Sequence, residues 1–506
     1  MKEEASPPPP KRRHHPKKTA EADKIPVHEK ALYGMGSPAL SMTTHLTDYQ
    51  MQQVLVYGMG MSPALHSVIV MVFRFWDAFI DPLMGWISDN TRSRFGRRRP
   101  YMFIGCISMA LILPFVWRFG EGWDIVWIAV YFIIFGILIN TATTIYNIPY
   151  QTLKMEMTPD YNERTSLNVY AGIAVKLFVF VAPWIWAMTQ MPFFTGQDPS
   201  EEPNTLLGIR SVTILFAVIV ITIGMIPVFV CKERYYAKAA SQKKEPLLKS
   251  FNLTFHSGPF RMMVLFILLL NFEGLVMGMG GYLKTYYVLG GDLEKAALYQ
   301  GMGGSASAVL ALLSLPFFGW LARRYGKERA LFFIVVAQVV MATSILIFYN
   351  PNYPYLVLIP AILNGPMHAG LWTVVPAMKA DIVDDDELRT GERREGSFES
   401  VFSFILKLGG TLFMGLSGFL VVLVGFEIGE AANQAPGVFR NIILLMFAIP
   451  FLFSIIEALI VYKWPLSSER MEEIRDQLEE RRGKIDMKSD SMKPAQGNPP
   501  SQQKPN

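Results

Sequence analysis

Apolar runs of about twenty residues recur along most of the chain and are separated by short polar loops. A helix of this length crosses the roughly 30 Å hydrocarbon layer of a bilayer and pairs its own backbone polar groups on the way. Three clear runs are Ser211–Val230, Leu331–Phe348 and Ile442–Val461. The pattern predicts an all-α integral membrane protein in contact with the lipid bilayer, and it excludes a soluble globular fold.

The distribution of charge supports this class. Charged residues make up 18% of the 506 residues, below the roughly 25% of soluble proteins. The net charge of +5 would suit nucleic acid, but the basic residues lie in the tails and short loops, so we expect no nucleic-acid partner. Cys106 and Cys231 both lie in apolar segments, which argues against a disulfide framework. No apolar stretch directly follows the basic N-terminus, so we expect no cleavable signal peptide.

We predict twelve membrane-spanning helices, numbered 1 to 12 along the chain. Helix 1 is unusually polar, and we infer it from the even helix count and from polar side chains that face a cavity. The predicted spans are 33–60, 64–88, 100–118, 123–150, 165–191, 208–231, 259–288, 296–322, 329–349, 353–379, 396–425 and 436–463.

The spans divide the chain into two six-helix bundles. We predict a disordered cytoplasmic tail (1–32), an N-terminal bundle (33–231), a cytoplasmic central loop (232–258), a C-terminal bundle (259–463) and a second cytoplasmic tail (464–506). In the second tail, apolar residues at helical spacing predict a short amphipathic helix; they are Met471, Ile474 and Leu478. We expect disorder beyond Gly483.

The two bundles repeat one motif. Helix 2 ends in Gly85-Trp86 before the basic turn Arg94-Phe95-Gly96-Arg97-Arg98. Helix 8 ends in Gly319-Trp320 before Arg323-Arg324-Tyr325-Gly326-Lys327. Repeated halves are typical of secondary transporters, in which the substrate site lies between the halves near mid-membrane.

Loop charge predicts the orientation. Basic residues concentrate in the loops after helices 2, 6 and 8, whereas the loops on the opposite side have few. By the positive-inside rule, both termini and the central loop are cytoplasmic. We therefore expect a multi-pass protein of the cell membrane.

Two acids mark the middle of predicted helix 2. Asp77 and Asp81 are four residues apart on one helix face, and Arg74 lies one turn earlier. An ionisable group at the centre of a membrane-spanning helix costs roughly 2.5–3.5 kcal/mol on insertion scales, so each such group is expected to have a structural or functional role. Adjacent carboxylates repel, and a bound cation removes that cost, which predicts a Na⁺ or H⁺ site. The alternative is an Arg74–Asp pair that braces two helices, and both interpretations can hold together.

Helices 5 and 11 each contain a lysine, Lys176 and Lys407. Lys407 has apolar or glycine neighbours, so its ammonium is expected to point inward to an acid. Snorkelling to the membrane surface is the alternative for both lysines, and for Lys176 the two interpretations have equal weight.

Three separated motifs resemble one family. They are Arg74-Phe75-Trp76-Asp77-Ala78 with Asp81-Pro82-Leu83-Met84-Gly85, the loop from Glu156 to Thr165, and the helix 10–11 region from Asp381 to Gly409. In this order they resemble the glycoside–pentoside–hexuronide:cation symporters of the major facilitator superfamily. The resemblance covers residues from about 33 to 463 and implies two pseudo-symmetric six-helix bundles.

The resemblance also implies roles for particular residues. Asp77 and Asp81 match the cation-site carboxylates, and Thr144 matches a hydroxyl ligand on helix 4. Lys407 matches the lysine that couples the cation and substrate sites. Three more residues match family positions at the substrate site; they are Arg74, Trp372 and Ser403.

Several positions depart from the family pattern. Asn147 stands where the family has a helix-4 acid that holds sugar hydroxyls, and Gln151 stands where it has a tryptophan one turn later. We also predict Asn147 as a cation ligand and Gln151 as a substrate-site residue. Ile80 replaces a cation-site asparagine. The helix-1 acid aligns with Ser41 and the helix-5 arginine with Gly172. Our hypothesis is that Lys176, one turn after Gly172, supplies the missing positive charge for the substrate.

Together these features predict a secondary active transporter. We expect alternating access, with Na⁺- or H⁺-coupled symport of a sugar or glycoside and no cofactor other than the coupling ion. We expect a monomer. The alternatives are a carrier of a non-sugar amphiphile such as a lysolipid, and a non-transporting membrane receptor or scaffold. No nucleotide loop, metal cluster or nucleophile–base set stands out, so an enzyme is not expected.

Overall fold

The fold is helical throughout the part of the chain that is described. The structure is a computed structural model that describes residues 24–491, except 121, 159, 199–202, 235–253, 392–393, 429–433 and 436. Within these residues twelve helical segments follow the predicted order; a short helix, Pro192–Thr195, follows the fifth segment, and one further helix follows the twelfth. The predicted all-α class is confirmed.

Helices 1 to 6 form the N-terminal half. Helix 1 consists of Val27–Gly34, Gly36–Thr44 and two π-helical turns, His45–Tyr49 and Gln52–Gly58. Helix 5 is Tyr161–Val181, continued through a 3₁₀ turn, Ala182–Trp184, into Ile185–Gln190. The other four helices are Pro63–Asn90, Arg99–Val116, Ile125–Met157 and Thr205–Val230.

Helices 7 to 12 form the C-terminal half. Helix 7 is Gly258–Tyr282 with a π-helical continuation, Leu283–Val288. Helices 8 to 12 are Leu293–Tyr325, Lys327–Phe348, Leu358–Thr390, Glu395–Leu423 and Val438–Tyr462. A C-terminal helix, Ser468–Ser491, follows helix 12.

Ten of the segments in the described ranges are long and apolar enough to cross a membrane. The other two are helix 1, which π-helical turns interrupt, and helix 2, which contains Arg74, Asp77 and Asp81. Large apolar side chains remain exposed, for example Leu313 and Leu423. Lipid chains are as apolar as these side chains, so such exposure costs little in a multi-pass membrane protein.

Helices 4 and 10 extend beyond their predicted ends at 150 and 379. They end at Met157 and Thr390 because polar side chains in the added turns have partners. Lys154 Nζ donates to Asn168 Oδ1 of helix 5 at 3.0 Å, and Lys327 Nζ lies 2.7 Å from Asp381 Oδ1.

Each half has its own buried apolar core. The first core draws on residues from Ile25 to Cys231, and the second on residues from Phe260 to Leu478. A third buried cluster contains residues of both halves, including Tyr57 and Trp186 on one side and Tyr282 on the other. This cluster joins the halves at the end of the bundle opposite the two tails, which we call the far end; the other end is the tail end.

Specific contacts also close the far end. Gln52 Nε2 donates to the Gly278 carbonyl at 3.2 Å. Trp184 Nε1 donates to Ser305 Oγ at 2.7 Å. The rings of Tyr57 and Tyr282 meet edge to face at a centroid distance of 5.2 Å. The halves are thus held together at the far end. Nearer the tail end, Lys407 and Asp81 of opposite halves remain accessible where they meet, and we call the space beside them the gap.

Helix 1 begins at Val27, within the segment 1–32 for which the sequence predicts disorder. Contacts with helix 5 order this segment. The Ile25 backbone N–H donates to Glu163 Oε2 at 2.9 Å, and Lys30 Nζ lies 2.9 Å from the same oxygen. The rest of that predicted tail, residues 1–23, lies outside the described residues.

The C-terminal helix continues to Ser491, past Gly483, where the sequence predicts the start of disorder. Its predicted apolar face, Met471, Ile474 and Leu478, is buried in the second core. Arg475 Nη2 lies 3.1 Å from Asp381 Oδ1 of helix 10. Residues 492–506 and most of the central loop, 235–253, lie outside the described residues.

Candidate functional site

The two predicted acids lie near the middle of helix 2, beside the gap. Thr144 of helix 4 donates from Oγ1 to Asp81 Oδ1 at 2.9 Å. Lys407 Nζ of helix 11 lies 3.5 Å from Asp81 Oδ2. The side chains of Lys407 and Asp81 are 76% and 28% exposed, so the pair is accessible. One carboxylate therefore contacts both halves of the molecule, as the inward-pointing lysine predicts.

The second acid belongs to a chain of charges. Arg74 Nη1 lies 3.4 Å from Asp77 Oδ2, and Arg74 Nη2 lies 3.2 Å from Asp48 Oδ2 on helix 1. Thr47 Oγ1 donates to Asp48 Oδ1 at 3.1 Å. The predicted brace between two helices exists, with Asp48 as the carboxylate on the other helix. Arg74 does not pair with Asp81, which contacts Lys407 and Thr144 instead.

Sequence reasoning missed Asp48 as a member of the site. The sequence feature that could have indicated Asp48 is the polar character of helix 1. In the structure Asp48 lies in a π-helical turn, His45–Tyr49. π-Helical turns within α-helices are frequent at functional sites.

Asn147 and Gln151 lie one and two turns beyond Thr144 on helix 4. Asn147 is half-buried and Gln151 is exposed. Neither side chain has a hydrogen bond among the contacts of the described residues, so the structure does not place Asn147 on Asp81 with Thr144. Both amides remain available to a ligand in the gap.

Ser403 bonds within its own helix rather than to the acid pair. Its Oγ donates to Glu399 Oε1 at 3.4 Å, and Glu399 also pairs with Lys379 of helix 10. The Lys379 ammonium lies 4.4 Å from the centroid of the Phe402 ring. Ser403 thus belongs to a contact between helices 10 and 11, whereas Lys407, one turn later, reaches Asp81.

Among the described residues, Trp372 and Lys176 have no hydrogen bond or ion pair with Asp77 or Asp81. The Trp372 ring lies 6.0 Å from the ring of His368, one turn earlier on helix 10. His368 is exposed and interacts electrostatically with Lys176 of helix 5. Lys176 and His368 are thus within electrostatic range of each other although they belong to opposite halves.

A charge cluster braces the tail end of the N-terminal half. Glu156 of helix 4 is buried and pairs with both Arg97 and Arg98. Glu233 accepts the backbone N–H groups of Arg97, Arg98 and Arg99, at 2.6, 2.8 and 3.1 Å for its nearest oxygens. The basic turn after helix 2 is therefore a buried junction as well as a set of loop charges.

The donor set at helix 2 suits a hard cation. Two carboxylates and the Thr144 hydroxyl supply oxygen ligands, the type that Na⁺ and other hard ions prefer. Among the described residues, no group of three His, Cys, Asp or Glu side chains is arranged to hold a metal ion.

Two helical bundles with paired charges at their interface define a secondary transporter of the membrane. The chain belongs to the major facilitator superfamily, because the family model described as MFS/sugar transport protein matches residues 32–468. The protein is accordingly a multi-pass transporter of small molecules and not an enzyme, and the fold predicted from the sequence motifs is confirmed.

Several curated proteins are similar over most of their length. The uncharacterized symporter YnaJ of Bacillus subtilis is 25% identical over 90% of this chain and 96% of its own. The sodium-dependent lysophosphatidylcholine symporter 1-A of Danio rerio is 24% identical over 92% of this chain and 90% of its own. The glucuronide carrier protein homolog of Escherichia coli is 24% identical over 89% of this chain and 92% of its own.

A solved structure has the same fold. The bacterial homologue of the iron transporter ferroportin, in its inward-facing state, superposes with a TM-score of 0.60. It is 14% identical and covers 87% of this chain and 99% of its own, so the likeness concerns the fold alone.

Proposed function

We propose that the protein is a cation-coupled symporter in which Na⁺ or H⁺ binds at Asp77 and Asp81. The observation that carries this proposal is the double contact of Asp81, with Thr144 from its own half and Lys407 from the other. A cation that binds Asp81 competes with Lys407. Occupancy of the cation site is thereby linked to a charge contact between the two halves.

The proposed cycle follows from the charges. In the cation-free state Lys407 neutralises Asp81, and Arg74 neutralises Asp77 and Asp48. A bound cation satisfies the acids and releases the Lys407 ammonium into the gap, where it faces substrate. Substrate binding then offsets the exposed charge, and the loaded halves rock to open the far end.

The proposed substrate is a sugar or glycoside. The family description and the glucuronide carrier support this class. The lysophosphatidylcholine symporter supports the alternative of an amphiphile, and so does the absence of an acid at Asn147. A ligand screen that includes both classes separates them.

Ion binding can be tested on purified protein in detergent. We expect Na⁺ or a fall in pH to raise the melting temperature of the wild type, because a ligand that binds the folded state stabilises it. Thr144→Val should weaken the response, since it removes one oxygen ligand while keeping the shape. Thr143→Val is the matched control, because Thr143 Oγ1 donates to the Ile139 carbonyl of its own helix at 2.8 Å. Equal responses in both variants and the wild type would reject Thr144 as a ligand.

We further propose that both tails face the cytoplasm of a cell-membrane protein and that the monomer is the transporting unit. The basic loops after helices 2, 6 and 8 support this orientation. Labelling of a cysteine introduced at the tail end, in vesicles of known orientation, tests it.

A further inference from the structure

Lys176 carries a positive charge inside a membrane-spanning helix and has no acidic partner among the described residues. Its side chain is exposed on helix 5. Other basic side chains of the spans have partners: Arg74 pairs with Asp48 and Asp77, Lys407 pairs with Asp81, and Lys284 donates to Gln300. Unpaired charges in membrane spans are costly and mark substrate pathways. A partner for Lys176 is therefore expected from outside the protein.

The packing of helix 8 relates the depth of Lys176 in the bundle to that of His368. Ser305 Oγ donates to the Phe180 carbonyl of helix 5 at 2.8 Å, one turn beyond Lys176 toward the far end. Two residues later, Ser307 packs directly on Gly365 of helix 10. His368 lies one turn from Gly365 toward the tail end. Because Phe180 and Gly365 contact the same short stretch of helix 8, Lys176 and His368 lie at matching depth in the bundle, on opposite halves.

Two aromatic residues of helix 10 lie at this depth. His368 is exposed, and Trp372 follows one turn later with its ring 6.0 Å away.

We propose that Lys176 and His368 bind an anionic group, a carboxylate or a phosphate, of the transported substrate, and that Trp372 packs on the adjoining part of the molecule. This inference rests on the proposed symport and specifies its substrate class. Co-transport of one monovalent cation with a substrate of net charge −1, such as a uronate, carries no net charge.

Binding to purified full-length protein in the presence of Na⁺ tests the proposal. The probes are methyl glucuronide, glucose 6-phosphate, lysophosphatidylcholine in mixed micelles and, as the neutral match, methyl glucoside. We expect one anionic probe to raise the melting temperature and methyl glucoside to have a smaller effect. Lys176→Gln should weaken binding of that probe about tenfold or more, because a charge-assisted hydrogen bond is lost. Lys176→Arg should retain binding within about threefold.

The controls make each outcome decisive. Lys295→Gln removes a highly exposed lysine at the far end and should change nothing. The unliganded melting temperature of Lys176→Gln should match that of Lys295→Gln, which shows that the variant folds. Equal binding of the glucuronide and the glucoside, no binding of any anionic probe, or unchanged anion affinity in Lys176→Gln overturns the anion site. Anion binding that is independent of Na⁺ and pH contradicts the coupling instead and leaves the anion site in place.

Discussion

The contact between helices 2 and 11 at the far end allows a prediction about alternating access. The Gly418 N–H donates to Ser67 Oγ at 3.1 Å, and the two helices touch through the Gly418 α-carbon. A Cβ on Gly418 would overlap the Pro63 carbonyl oxygen and come within 2.8 Å of the Pro63 carbonyl carbon. Backbone atoms cannot rotate away, so Gly418→Ala should destabilise the state in which the far end is closed.

The size of the effect follows from overpacking. One extra methyl group in a tight contact costs about 1–3 kcal/mol. The methyl group is free of this overlap when helices 2 and 11 separate at the far end. The ratio of the tail-open to the far-open state should therefore fall about 5- to 150-fold.

Cysteine labelling measures this ratio. Cys106 and Cys231 are buried, so a cysteine at Gln151, exposed in the gap, reports access from the tail end. With an impermeant maleimide, Gly418→Ala should slow labelling from the tail side. Gly172→Ala is the matched control, because no atom lies within 4 Å of a Cβ added there. Unchanged labelling in Gly418→Ala, or equal slowing in the control, would refute the reasoning.

Two further predictions concern stability at the tail end. Ile474→Ala should loosen the C-terminal helix by about 2–5 kcal/mol, because Ile474 is fully buried. Limited proteolysis checks this, with exposed Glu472→Ala as control; equal cleavage of both variants would contradict the docking. Glu156→Gln should cost about 3–5 kcal/mol, since Arg97 and Arg98 lose the carboxylate that both contact. The measurement is the loss of melting temperature in detergent, and an unchanged value would show that the cluster contributes little.

The sequence predicts features that are set by local chemistry. Membrane spans are readable because lipid demands long apolar helices. Asp77, Asp81 and Lys407 stand out because charge is costly in such helices. The burial of Ile474 in the C-terminal helix follows from its spacing with apolar neighbours.

Features that depend on packing between distant segments could not be predicted from one sequence. Nothing local shows that Arg74 pairs with Asp48, because that contact depends on how helices 1 and 2 cross. The end of helix 10 at Thr390 depends on partners for its polar last turns, such as Lys327 for Asp381. Lys176 shows the same limit, because its position relative to His368 depends on how helix 8 packs on helices 5 and 10.

Uphill uptake into proteoliposomes tests the coupling at Asp81 most directly. The substrates are labelled methyl glucuronide and methyl glucoside, offered with an imposed Na⁺ gradient, an imposed pH gradient or neither. The expected result is accumulation above equilibrium under one gradient in the wild type. In a folded Asp81→Asn variant we expect downhill equilibration at most. Gradient-driven accumulation by Asp81→Asn would contradict a coupling cation at this carboxylate.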